Sequence, residues 1–137
     1  MKNAQRCNGF TMIELLIIVA IIAIIAIIAV STYKPYVLKS HRADGISAIL
    51  ILQLAEERYR SSNSQYGAIG AIGGSATSPQ GYYSLSISST SATGFTITAT
   101  GQGTQSDDAE GSTSCSTLTL AVSNGTVTKT PAACWPS

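Results

Sequence analysis

Histidine is nearly missing: His41 is the only one in 137 residues, which argues against a metal centre built on imidazole. Charge is scarce as well. Only 11% of residues are charged, and the formal charge of +1 is too small to point to nucleic acid by itself. From Ser61 onward there is one Lys, Lys129, against three acids, Asp107, Asp108 and Glu110. Hydroxyls are plentiful there but have no base beside them, so nucleophilic catalysis has no candidate. CxxC spacing is absent, which disfavours thioredoxin-like redox chemistry and zinc. The glycines of Gly70–Gly74 lack the Lys and the following helix that a phosphate loop needs. No cofactor is expected. Long apolar runs are also missing, with one exception, Leu15–Val30. Beyond that run and its polar continuation roughly eighty residues remain, little for a single core and too few for an enzyme with a deep cleft.

The chain opens on nine largely polar residues, among them Lys2, Arg6 and Cys7. From Phe10 the apolar stretch is interrupted only by Thr11 and Glu14 until Val30. As a helix it measures about 31 Å, enough to cross a bilayer core of about 30 Å. The aliphatic side chains outweigh the cost of Glu14, about 3 kcal/mol at most near one end. The run exceeds the usual core of a cleaved secretory signal, although Ala29-Val30-Ser31 fits a small-x-small cleavage site. Alanine recurs every third residue from Ala20 to Ala29, so these positions drift round the helix and read as filler. Glu14 has two readings. An ionisable group in a span is a functional candidate that needs a partner, and it is also close enough to the boundary to reach the interface.

Residues 32–60 keep a helical pattern and turn amphipathic. Ala43, Ile46, Leu50 and Leu54 step by three, four and four, which predicts one apolar face. Glu56 and Arg60 are spaced to pair along the helix. Pro35 is placed to kink it and Gly45 to weaken it. The expectation is one helix of about fifty residues, apolar all round in its first half. Residues 61–81 read as a loop. Three segments then alternate apolar and hydroxyl residues: Tyr83, Leu85, Ile87; Phe95, Ile97, Ala99; Leu118, Leu120, Val122. Asn124-Gly125 signals a type I′ hairpin into a short strand at 126–130. The fold class expected is α+β: a long N-terminal helix, half membrane and half amphipathic, on an antiparallel sheet of three to four strands. The face of Ala43, Ile46, Leu50 and Leu54 is its natural partner. Asp107, Asp108 and Glu110 read as a solvated turn, with a calcium site as the alternative. Asn124-Gly125-Thr126 fits a glycosylation sequon, although the turn suffices to explain it.

Cys7, Cys115 and Cys134 make an odd count. Removal of residues 1–9 would leave an even pair in the head. A disulfide there implies an oxidising compartment outside the cytoplasm.

Taken together, a basic leader ending in Gly9, then Phe10-Thr11-Met12-Ile13-Glu14-Leu15-Leu16 and an aliphatic helix, resemble the class III signal of type IV prepilins. The tail resembles that of PilE-type minor pilins, in Tyr82–Ile87, Gly94–Thr100, Cys115–Leu120 and Lys129–Trp135. The resemblance implies a structural subunit without cofactor or metal. A prepilin peptidase would cut between Gly9 and Phe10 and methylate the Phe10 amine. The subunit would wait in the inner membrane, then join other pilin subunits in an extracellular filament through the assembly machinery. Glu14 would pair with the Phe10 amine of a neighbour, and Cys115 with Cys134 in a C-terminal disulfide. The implied segments are 1–9 leader, 10–31 span and filament core, 32–60 amphipathic helix and 61–137 head. Many pilins break the helix with a proline near Ser31; here the nearby proline is Pro35.

The leading function is a minor pilin serving assembly, twitching motility, adhesion or DNA uptake. One alternative is a competence pilin that captures DNA. Without Lys2 and Arg6, six basic residues face seven acids, and a head of negative charge makes nucleic acid an unlikely partner there. Another alternative is a type II secretion pseudopilin, which by resemblance would carry calcium where this chain has two cysteines.

Overall fold

The computed structural model describes residues 10–136. Helix α1 spans Met12–Ser62, 51 residues. It runs through Pro35, which offers no N–H to the carbonyl four residues back. The chain divides there into two compact units, one ending at Lys34 and the other beginning at Pro35.

In the first unit, Met12–Ala29 is long and apolar enough to cross a membrane, with mean hydropathy 3.2 and no part buried. The second unit contains the sheet. Strands β1 (Tyr83–Ser88), β2 (Gly94–Gly101), β5 (Thr117–Ser123) and β6 (Thr126–Thr130) lie in the order β1-β2-β5-β6, all antiparallel. A two-stranded ribbon, β3 (Ala109–Glu110) with β4 (Thr113–Ser114), follows a 3₁₀ turn at Gly103–Asp107. A second 3₁₀ turn, Ala132–Cys134, closes the chain.

The alternation read from the sequence sets the faces of the sheet. Tyr83, Leu85, Phe95, Ile97, Ala99, Leu118, Leu120 and Val122 are buried against α1. The outer face carries hydroxyls. Ser86, Thr98, Thr119 and Thr130 form one row across all four strands, flanked by Ser84–Thr100–Thr117 and Ser88–Thr96–Ala121–Thr128. Asn124 and Gly125 both take positive φ, 49° and 78°, as a two-residue type I′ hairpin between β5 and β6 requires.

The helix face that meets the sheet is not the one expected. Leu50 and Leu54 are exposed, as is Ala43, and Ile46 is only half-buried. The buried positions are Leu38, Arg42, Asp44, Gly45, Ala48, Ile49, Leu52 and Glu56. This face looked polar because Arg42, Gly45 and Glu56 interrupt it. Each has a partner in the head. At Gly45 a Cβ would stand 2.8 Å from the Tyr83 ring, so the glycine admits the ring against the helix backbone rather than marking a weak turn. Glu56 does not pair with Arg60. Its carboxylate accepts the Gly67 N–H at 2.9 Å, while Arg60 donates to the carbonyls of Ala92 and Asn63.

Candidate functional site

Three places gather the polar chemistry: the start of α1, the seam between α1 and the ribbon, and the disulfide.

At the start of α1, Gly9 lies outside the described residues, and Phe10 is exposed. Glu14 Oε2 accepts the Thr11 backbone N–H at 2.9 Å and the Thr11 hydroxyl at 2.8 Å. The Glu14 N–H donates back to Thr11 Oγ1 at 3.3 Å. This is a capping box, in which a Thr and the Glu three residues on satisfy each other's backbone donors. The Thr11-x-x-Glu14 spacing announced it, but Glu14 was read for its charge in lipid, not for its place in the first turn. Both bonds fall on Oε2, and Oε1 takes part in neither.

At the seam, Arg42 replaces the expected solvated turn. Its guanidinium grips Asp108 through Nε at 2.7 Å and Nη2 at 2.9 Å, and reaches Glu110 through Nη1 at 2.9 Å. Lys39 adds an ion pair to Glu110 at 3.1 Å. The side chains of Arg42 and Asp108 are 5% and 1% exposed, which makes this a desolvated two-pronged clamp. The hydrogen bond that Arg42 donates to Asp108 does most to raise the Arg42 pKa, and Arg42, then Lys39, holds the Glu110 carboxyl below the usual range. Burial pushes the Glu56 carboxyl up. Beside the clamp, the buried Gln105 amide donates to the Leu38 carbonyl at 3.0 Å and to the Tyr83 hydroxyl at 2.9 Å. Burial pushes the pKa of that hydroxyl up to about 12. Sequence reasoning missed Arg42, since its partners stand 66 and 68 positions away and no local pattern joins them. Of the three carboxylates in the calcium alternative, Asp107, Asp108 and Glu110, the last two are committed to Arg42. No group of metal-ligating residues occurs among the described residues.

Cys115 and Cys134 are joined in a disulfide with Cα atoms 5.6 Å apart, and both are buried. It ties the closing 3₁₀ turn to the approach to β5. Cys134→Ser is expected to cost about 2–5 kcal/mol, given the loop it opens. Urea denaturation of the detergent-solubilised chain, with and without reductant, measures this.

A long helix with an unburied apolar half and a small, stapled β-head define a filament subunit anchored in the membrane before assembly. A family model described as the prokaryotic N-terminal methylation motif matches residues 4–30. Another, described as type IV minor pilin ComP, DNA uptake sequence receptor, matches residues 31–119. The chain belongs to this type IV minor pilin family. No curated protein sequence matches it. The subunit is therefore a minor pilin, made with a class III leader as an inner-membrane precursor and assembled into the extracellular pilus with other pilin subunits.

Proposed function

We propose that a prepilin peptidase cuts this minor pilin between Gly9 and Phe10, that the Phe10 amine is methylated, and that Glu14 meets the Phe10 amine of a neighbouring subunit. The division into leader 1–9, span and filament core 10–31, amphipathic helix 32–60 and head 61–137 belongs to the same reading. The observation that carries it is the methylation motif over residues 4–30, laid across the start of an unburied apolar helix. Gly9→Val is the test. A β-branched residue blocks the close backbone approach that a glycine at the cleavage point permits. The expected result is an unprocessed precursor in the inner membrane and no subunit in sheared filaments. Mature Gly9→Val protein in filaments would remove the assignment.

A second role, reception of DNA, is favoured by the description of the family matched over residues 31–119. It runs against the expectation drawn from net charge. The clamp sharpens the difficulty, because Lys39 and Arg42 are spent on Asp108 and Glu110. Phosphate contact needs only local cations, however, and Arg58 and Arg60 both belong to the end of α1, two positions apart on different faces of the helix, with Arg60 over the Tyr66 ring and donating to the carbonyls of Ala92 and Asn63. Two phosphate contacts give a salt slope of about −2 in a log–log plot of duplex binding. Arg58→Ala/Arg60→Ala should flatten it in fluorescence anisotropy. Failure of the wild type to bind duplex DNA at low salt would end this role and leave the subunit role untouched.

A further inference from the structure

A sheet ends in strands whose outward backbone groups need partners, and the two ends of this sheet differ. At the β1 edge the chain covers itself. Thr77 bridges Ser84, the Leu85 N–H donates to the Ala76 carbonyl at 2.8 Å, and the Ser78 N–H donates to the Tyr83 carbonyl at 2.9 Å. Strand β6 has β5 on one side, and every residue of it is exposed. The two-residue turn makes Ser123 and Thr126 a hydrogen-bonded pair, and alternation does the same for Thr128 with Ala121 and Thr130 with Thr119. The N–H and C=O groups of Val127 and Lys129 therefore point away from β5, off the sheet. No backbone hydrogen bond from elsewhere among the described residues reaches them. Little blunts this edge. The strand has no Pro and no acid, and its one charge, Lys129, lies over the Trp135 ring, 5.2 Å from the centroid. Val127, 44% exposed, is the one large apolar side chain of the sheet left open.

We propose that the free edge of β6 takes the same strand of a second copy of this chain, antiparallel and centred on Thr128. The strand, Thr-Val-Thr-Lys-Thr, reads alike in both directions except at Val127 and Lys129. Laid antiparallel to itself about Thr128, it sets Thr126 against Thr130, Val127 against Lys129, and Thr128 against its own mate. The backbone fits this register. Val127 and Lys129 carry the outward N–H and C=O groups, and facing each other they exchange both bonds on each side of the centre. The side chains fit it on both faces. On the outer face threonine meets threonine throughout, a favourable cross-strand pair, so the hydroxyl rows run on from one sheet into the other. On the inner face the stem of each Lys129 crosses the exposed Val127 of the other copy, and the two ammonium groups do not stand opposite each other. Other centres fit worse. Centring on Lys129 opposes the two charges, and centring on Val127 sets Lys129 against the turn. An unrelated extended peptide would have to supply the alternation that the strand already offers to itself. The pair has a two-fold axis through Thr128, so each copy uses one surface and the contact closes at two.

The test uses the full chain solubilised in detergent, with Cys7→Ser so that no native thiol is free. A strand of five residues holds its partner weakly, so cysteine trapping under mild oxidation reads the contact. At a non-bonded pair the Cα atoms stand about 4.5 Å apart, within reach of a disulfide, whereas the two copies of residue 126 stand about 13 Å apart. Thr128→Cys should therefore form a linked dimer at least about tenfold faster than Thr126→Cys or Ser86→Cys alone, and Thr126→Cys mixed with Thr130→Cys should link as readily. Two blocking variants are added to Thr128→Cys. Val127→Pro removes an N–H from the free edge and none from the ladder with β5. Val127→Lys sets a charge opposite Lys129 of the second copy. Each should return trapping to the rate of Ser86→Cys, with the Cys115–Cys134 disulfide and Trp135 fluorescence unchanged. Three results would overturn the proposal: Thr128→Cys trapped no faster than the controls, no link between Thr126→Cys and Thr130→Cys, or trapping that survives Val127→Lys.

Discussion

Glu14→Ala and Glu14→Gln are expected to insert and to be processed, yet to reach filaments at least about tenfold less than wild type. Insertion itself should improve, because the costly charge is gone. A carboxylate among Ile and Leu is expensive unless it meets donors or a cation. The structure supplies part of that need within the chain, through Thr11 on Oε2. Oε1 lies outside both bonds and is the atom to which a neighbour's amine would come. The capping box separates the two variants. Gln keeps an acceptor for the Thr11 N–H, so α1 starts as in the wild type; Ala loses the cap, worth about 1 kcal/mol. If the charge matters for assembly, both variants fail alike. If only the cap matters, Gln assembles and Ala does not. Comparison of membrane and sheared-filament fractions decides it, and incorporation of both at the wild-type level would reduce Glu14 to a residue that reaches the interface.

The second large effect belongs to Arg42. Arg42→Met should destabilise the head by about 3–5 kcal/mol, because Asp108 is left charged and buried without its partner. Arg42→Met/Asp108→Leu should regain much of the loss, since an apolar pair can replace a buried ion pair at little cost. Urea denaturation of the detergent-solubilised chain followed by tryptophan fluorescence reads both, with Trp135 the reporter. Glu110 at this seam and Glu56 farther along α1 also fix the signs of the pH response. Glu110 is held below the usual carboxyl range, so its contribution is present above about pH 4.5 and is lost as pH falls through its lower folded value. Glu56 is pushed above that range. Its contribution is complete below about pH 4.5 and is lost as pH rises through its higher folded value. Glu56→Gln should therefore flatten the decline toward neutral pH.

What could be read in the sequence follows from the range of each signal. Strand alternation is local, and the segments at Tyr83, Phe95 and Leu118 form the strands expected. Asn124-Gly125 has few other conformations to choose from. The helix is long because nothing but Pro35 interrupts it. Its orientation on the sheet was not local. The exposed face, with Leu50 and Leu54, gives the better apolar count, and the buried face looks worse because it contains Arg42, Gly45 and Glu56. Those three are tolerated only through Asp108, the Tyr83 ring and the Gly67 amide, each supplied by a distant part of the chain. The acid turn failed for the same reason, since a carboxylate run looks solvated until its arginine is found. At the start of α1 the cap is as local as the strands, since Thr11 and Glu14 stand three residues apart.

The outer face of the sheet has a consequence of its own. Across its three central rows it presents Ser, Thr and one Ala, with no group that titrates between acid and alkali. Lys129 sits on the opposite side, in register with Leu120 and over the Trp135 ring. Such a surface looks the same to its surroundings in acid and in brine. It is wettable and electrically silent, and it attracts charged material no more in fresh water than in salt. The pH response of the head comes from elsewhere, from Glu110 at the seam that holds Arg42 and from Glu56 against the Gly67 amide.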